Sequence, residues 1–357
     1  MKKAEVYFAR LKDPAGLADQ VRAVKSSLAA SGFPGRLGKR DMTAIKVHVG
    51  EKNNDTHVRP ELAAAAVQAV KKAGALPFIT DTATLYKGQR DNGIRHALHA
   101  HAHGFGLENT GAPFIPVDGL AGNHEAEVEV NGELHKTVKV AGEIIRADAL
   151  LVVSHPTGHM GSGLGAAIKN VGMGLASRAG KMRQHSTITP EVASDKCTDC
   201  GKCRKWCPTD AIEEREGVSF ILREKCIGCG ECIAVCRFDA VKFNYGTGSD
   251  FLQKSMVEHA AGVLRRFGGK AVFINVMVNM TKECDCLNRK QAKFIPDLGV
   301  LASEDIVAVD QATLDLTREA HGQDLSRMSF LRLDPQTQIR HAEKLGLGNS
   351  SHQLIEL

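Results

Sequence analysis

Two cysteine runs share one spacing. Cys197-x2-Cys200-x2-Cys203-x3-Cys207-Pro208 is followed 29 residues later by Cys226-x2-Cys229-x2-Cys232-x3-Cys236. Three thiolates at intervals of three residues can wrap one iron–sulfur cubane, while the fourth is carried by a helical turn to a neighbouring cluster. The spacing therefore assigns Cys197, Cys200, Cys203 and Cys236 to one [4Fe-4S] cluster and Cys226, Cys229, Cys232 and Cys207 to a second. Gly201, Gly228 and Gly230 suit the tight backbone that aims amide N–H groups at sulfur. Arg237 stands where the first run has Pro208, a difference that alters the turn without removing a ligand. Paired Cys-x2-Cys also binds zinc, but two four-cysteine runs of one grammar favour clusters.

Two further cysteines, Cys284 and Cys286, flank Asp285. On extended backbone, side chains at i and i+2 point the same way, so the pair is suited to chelating a soft metal, contacting a cofactor or acting as a redox couple. The bland alternative is two reduced thiols in a loop. Polar residues also gather just past the expected strand ends: His48, Glu51, Lys52 and Asn53; Asp81, Thr82, Tyr86, Lys87 and Arg90; His155 and His159. In open α/β sheets that edge is where ligands bind, and His48, Asp81, His155, His159 and Lys169 are candidates to bind or protonate a substrate there, with Cys284 and Cys286 beside them.

The stretch from His155 to Gly165 is glycine-rich and reads as a loop opening a helix, with Gly161, Gly163 and Gly165 placed to cradle an anionic cofactor. Gly161-x-Gly163-x-x-Ala166 formally fits a dinucleotide fingerprint, but no acidic residue follows about 20 positions on. A phosphate loop fails for want of Gly-Lys-Ser/Thr; Lys169 and Asn170 sit later on the helix. His96, His99 and His103 share one face of an expected helix, which reads as a hydrated histidine-rich surface in preference to a metal site.

The elements that must position these groups alternate between strand and helix. Strands are expected at Glu5–Ala9, Ala44–Val49, Leu76–Asp81, Phe114–Val117, Ala149–Val153, Ala271–Val278 and Ile306–Val309, with helices at Leu17–Ala30, Pro60–Ala73, near Asp91–His103, after the His155–Gly165 loop through about Gly174, at Phe251–Phe267 and from Asp310. A hairpin is expected at Ala126–Val130 and Thr137–Val140, turning at Asn131-Gly132. The fold class is α/β, a mostly parallel sheet with flanking helices, interrupted by a ferredoxin-like two-cluster module. Residues 1–189 form its first part, 190–245 the module, 246–322 the completing part and 323–357 a helical tail.

The chain has 357 residues, is 43% hydrophobic and 24% charged, and carries a net charge of +5, a balance that excludes disorder and coiled coils. Basic residues are dispersed, so no nucleic-acid partner is expected. No apolar stretch nears the roughly 18 residues of a membrane span. Met1-Lys2-Lys3 leads into a charged, alternating segment without a signal-peptide core, so a cytoplasmic location is expected. Ten cysteines in a reducing compartment point to metal or redox chemistry and away from disulfides.

The cysteine block resembles bacterial two-cluster ferredoxins. Beyond it, Lys46-Val47-His48-Val49-Gly50-Glu51-Lys52, Thr80-Asp81-Thr82-Ala83-Thr84-Leu85-Tyr86-Lys87-Gly88, Ser154-His155-Pro156-Thr157-Gly158-His159, the segment from Gly165 to Gly174, the Cys284/Cys286 pair and Ile306-Val307-Ala308-Val309-Asp310-Gln311 resemble the domain-of-unknown-function family 362, the uncharacterised Fe–S centre proteins. The resemblance runs from residue 1 to about residue 322 and implies an α/β domain interrupted by a two-cluster ferredoxin module, without supplying a reaction. The expected function is iron–sulfur electron transfer, in an oxidoreductase that passes low-potential electrons to a substrate or metal in the crevice. A ferredoxin, flavodoxin or reductase is the expected redox partner, and a further metal or small-molecule cofactor is left open. The alternatives are a carrier or assembly partner without its own substrate, and an iron–sulfur or metal sensor.

Overall fold

The computed structural model describes residues 3–185, 189–242 and 248–357. Seven strands make the central sheet: β1 Ala4–Arg10, β2 Met42–Lys46, β3 Leu76–Thr80, β4 Ala149–Ser154, β5 Ala271–Met277, β6 Gly299–Ser303 and β7 His352–Glu356, in the order β7-β1-β6-β5-β4-β2-β3. β6 runs antiparallel to both neighbours, and every other pairing is parallel. The expected mostly parallel α/β sheet is what forms.

β4 lies near the middle, and all six of its residues are buried. Leu150 and Val152 enter the core on one face, while Leu151 and Val153 enter the core on the other, as the two-residue period of a strand requires. One face is covered by α1 Leu17–Ala30 and α2 Pro60–Lys72, the other by α4 Ala167–Gly172, α6 Ser249–Leu264 and α7 Ile306–His321. Between them in sequence come α3 Gly93–Ala100 and α5 Arg178–His185. Among the described residues no helix is long and apolar enough to cross a membrane.

Several local expectations are corrected. Ile306–Val309 is the first turn of α7, because Asp305 caps it, its Oδ1 accepting from Val307 N–H and Ala308 N–H at 2.9 Å each. The strand here is β6, just upstream. Phe114 makes only a single parallel bridge to Ile79. β2 stops at Lys46, short of Val49. The hairpin Glu125–Glu129 and Thr137–Ala141 turns through residues 130–136. There the Glu258 carboxylate accepts from Leu134 N–H (2.9 Å) and His135 N–H (2.7 Å), drawing the loop onto α6 in place of a two-residue turn. The terminal segment holds helices Leu325–Ser329 and Gln336–Lys344 but ends in β7, which extends the sheet beside β1.

Residues 189–242 fold on a separate small scaffold, with a hairpin at Ile212–Arg215 and Val218–Ile221 and a pairing of Glu191–Val192 with Val241–Lys242. The expected end of this block at residue 245 lies outside the described residues. Its two halves repeat each other's hydrogen bonds at the 29-residue offset. Ala193 N–H donates to Ala240 O as Leu222 N–H donates to Ala211 O, both at 2.8 Å.

Candidate functional site

The carboxyl ends of β2, β3, β4 and β5 open onto one cavity of about 840 Å³. His48, Asp81, His155, His159, Lys169, Cys284 and Cys286 all line it, although they come from five separate segments.

Its floor is a buried ionic network. Lys46 Nζ lies 3.0 Å from Asp81 Oδ1 and donates to Asn170 Oδ1 at 2.6 Å. Burial pulls the Lys46 ammonium below its usual range against the attraction of Asp81. Burial also opposes ionisation of Asp81, yet Lys46, His96 and Arg90 together hold its carboxyl well below the usual value. Arg90 reaches Glu51 through Nε at 2.8 Å, Asp81 through Nη1 at 3.3 Å and the Tyr86 hydroxyl through Nη2 at 2.7 Å. Gly174 makes room for this floor: a Cβ there would stand 2.7 Å from Lys46 Nζ and 2.2 Å from Asn170 O.

The Cys284-Asp285-Cys286 segment crosses one wall. Asp285 points into the protein, its Oδ2 2.7 Å from His155 Nδ1 and its Oδ1 accepting from Thr56 Oγ1 at 2.8 Å and Asn54 Nδ2 at 3.2 Å. Both ring nitrogens of His155 are engaged, since Nε2 faces Asn279 O at 3.2 Å. Although burial disfavours its charge, Asp285 raises the His155 pKa, so the ring donates at both ends. His155 thus positions the Asp285 turn and has no nitrogen left for a metal. The two thiols face the cavity. Cys284 Sγ accepts from Lys169 Nζ at 3.0 Å and from Cys286 N–H at 3.4 Å. The Cys286 thiol, and then the Lys169 ammonium against the effect of burial, bring the Cys284 thiol down to about 5. The Cys284 side chain beside it, and then burial, hold the Cys286 thiol well above its ordinary value.

The glycine-rich stretch leads into α4 as expected, but it is a hairpin and not a loop. It pairs with itself as Thr157–His159 against Gly163–Gly165. Gly161 and Gly165 line the cavity, but Gly163 turns toward Ser326, whose Oγ would lie 2.3 Å from an added Cβ. The start of α4 is no anion site either, because Asp310 already occupies it: Ala167 N–H and Ile168 N–H donate to its carboxylate at 2.9 Å each. The hairpin instead aims His159, whose Nδ1 is engaged by Ser162 N–H at 3.0 Å and Ser162 Oγ at 2.9 Å. Burial, then Lys169 and His185, hold the His159 pKa well below its usual value, so the ring is neutral. His48 is likewise neutral, through burial and Arg90, with Nδ1 accepting from Gly50 N–H at 3.0 Å.

The expected histidine-rich surface is buried instead. His96 is wholly inside, 3.6 Å from Asp81, and His99 Nε2 and His103 Nδ1 contact Gly50 O and Val49 O at 3.0 and 2.8 Å. α3 therefore packs beneath the loop after β2. Only His101 of this group stays exposed.

In the cysteine block, Cys197, Cys200, Cys203 and Cys236 line one small cavity. Ala211 N–H donates to Cys207 Sγ at 3.2 Å, and Ala240 N–H, 29 residues later, to Cys236 Sγ at 3.3 Å. The core of the block includes Leu85 and Met182 from the α/β body, and Lys87 Nζ donates to Ala234 O at 3.1 Å.

The sequence profile of a known family, described as a domain of unknown function, DUF362, matches residues 43–315, which take in β2 to β6 and the whole cysteine block. The chain belongs to the DUF362 family. No curated protein matches this DUF362 chain. Among solved structures it is similar to the lactate racemase apoprotein from Thermoanaerobacterium thermosaccharolyticum, with 12% identity and a TM-score of 0.37 over 76% of this chain and 50% of that one. A protein from Thermotoga maritima gives 12% identity and a TM-score of 0.41 over 81% and 56%. The DUF362 chain spans about half the length of each.

Three further residues shape the DUF362 crevice, Asp285 and Lys181 from its lining and Lys46 from beneath it. Lys46 follows Ala44 and Ile45 at the end of β2, and a charge at the close of a buried strand is its signal in the sequence. Asp285, between two cysteines, anchors them through His155. Lys181 lines the cavity from α5, donating to Thr82 Oγ1 at 2.5 Å, and nothing in its local sequence marks it.

Proposed function

We propose that this DUF362 protein is an iron–sulfur oxidoreductase, in which two [4Fe-4S] clusters in the cysteine block deliver electrons to a substrate in the crevice. The contact between the two regions carries this reading. Leu85 lines the crevice and also packs in the core of the cysteine block, and Lys87 of the same loop reaches Ala234 within the second cysteine run. A fixed contact of this kind sets the distance for electron transfer, which a flexible linker would leave uncontrolled.

The donor set suits the clusters. All eight cysteines are unbridged, four of them line one cavity in the grouping expected from spacing, and backbone N–H groups point at Cys207 and Cys236. When bound, such clusters supply single electrons at a potential set by hydrogen bonds, charge and exposure. The chain's own residues do the rest. Cys200 is exposed, as are Lys205 and Trp206 of the same cysteine run, and this run is where an acidic redox protein would dock. In the crevice, neutral His48 is placed to exchange a proton with bound substrate, while the Lys46–Asp81–Arg90 floor holds its charges fixed and excludes water.

Anaerobic purification with iron, sulfide and zinc analysis tests the reading. About eight irons with matching sulfide, and a paramagnetic signal on reduction, are expected. Zinc at the eight cysteines with no sulfide overturns it.

A further inference from the structure

We propose that His159, Cys284 and Cys286 form a mononuclear site for a thiophilic divalent metal ion, with one coordination position open to the crevice. The site uses none of the eight cysteines of the block and stands apart from the iron–sulfur reading.

Three donor atoms, one from each residue, lie within 4.8 Å of one another. Around a tetrahedral ion, with metal–sulfur bonds near 2.3 Å and metal–nitrogen bonds near 2.0 Å, neighbouring donors stand about 3.3 to 3.8 Å apart. Small side-chain adjustments therefore suffice to close the three around one ion. The donors come from two segments more than a hundred residues apart in the chain, each held by bonds of its own. Asp285, tied to His155, Thr56 and Asn54, pins the turn that carries both flanking cysteines, and both line the cavity.

The surrounding groups are those a metal site needs. His159 Nδ1 accepts from Gly161 N–H at 3.2 Å and from Ser162 N–H at 3.0 Å, and these bonds hold the ring in place. In that arrangement the neutral ring carries its proton on Nε2, and Nε2 binds the ion as that proton leaves to solvent in the crevice. Lys169 Nζ, 3.0 Å from Cys284 Sγ, supplies a charged hydrogen bond to a ligand sulfur. His155 is not a fourth ligand, because both its nitrogens are engaged. All three proposed ligands line the 840 Å³ cavity, so the fourth position faces the space a substrate would occupy. Two sulfurs, one imidazole and an open position are the donor set of a catalytic site for zinc or a comparable borderline ion.

The test uses the full chain with its clusters. Protein purified anaerobically is incubated with Zn²⁺, passed through a desalting column, and examined by elemental analysis and zinc-edge X-ray absorption. One retained zinc is expected, with two sulfurs near 2.3 Å and nitrogen or oxygen in the remaining shell. In Cys284→Ser and Cys286→Ser, retained zinc should fall at least about tenfold while iron content stays unchanged. His159→Gln repeats the test without altering a thiol, and circular dichroism confirms folding. An all-sulfur shell, or zinc retention unaffected in folded variants, overturns the site. A chain without iron that still binds zinc through two sulfurs and a nitrogen overturns the iron–sulfur reading and leaves this one standing.

Discussion

The ammonium of Lys46 stands 3.0 Å from the carboxylate of Asp81, the lysine with no solvent exposure and the aspartate with almost none. Removing one partner of such a pair strands the other in a medium that cannot solvate it. Lys46→Met should therefore destabilise the fold by about 3–5 kcal/mol, read from urea unfolding. Arg90 also touches Asp81 and offsets part of the loss, so the lower end is expected. A change below about 1 kcal/mol would show that Lys46 and Asp81 are not coupled.

Gly174→Ala probes the same floor from above. The added methyl has no space between Lys46 Nζ and Asn170 O, and the backbone oxygen cannot yield cheaply. A loss of about 1–3 kcal/mol is expected. In the double variant with Lys46→Met the two losses should add to less than their sum, because the first removes one of the atoms that the second meets.

Acid should weaken the fold before the carboxylates titrate. Burial lowers the His96 pKa from 6.5 to about 4 and that of His259 to about 3. The unfolded chain takes up these protons near pH 6.5 and the folded chain does not, so their stabilisation is complete above 6.5 and falls as pH drops toward 4 and 3. His259→Phe should reduce the slope of stability against pH in this window by about one proton. Equal slopes in the two proteins would mean that His259 is already charged in the fold.

Arg178 of α5 packs against Gly230 in the second cysteine run, and its Nη2 donates to Asp91 O at 2.6 Å. Its side chain is 1% exposed, and its Nε and Nη1 have no hydrogen-bond partner among the described residues. If the proposed clusters are present, a buried cation favours the added electron, so Arg178→Gln should lower the reduction potential of the cluster nearer to it by tens of millivolts. The farther cluster should change less. Equal shifts, or none, in a redox titration followed by electron paramagnetic resonance would remove Arg178 from the electron path.

Much of this was legible along the chain. Leu17–Ala30 ends where its apolar period and Gly32 place the end, and Ala149–Val153 is the fully buried strand that its unbroken apolar run implies. Ile306–Val309 misled because four apolar residues satisfy a strand and a helix alike; the deciding signal was the capping Asp305 before them. The His155–Gly165 stretch misled for another reason. Glycine spacing reports conformational freedom, and a tight hairpin uses that freedom as well as an anion loop does.

What the sequence alone determined is whatever depends on near neighbours: the shared grammar of the two cysteine runs, the alternation of strand and helix, and the gathering of polar residues just past strand ends. What the tertiary structure decided is which of these residues meet. Lys46 finds Asn170 across 124 residues and His155 finds Asp285 across 130, contacts that no local pattern encodes. They exist because a parallel sheet brings the carboxyl ends of distant strands to one edge, where charges shut away from water must find partners in each other.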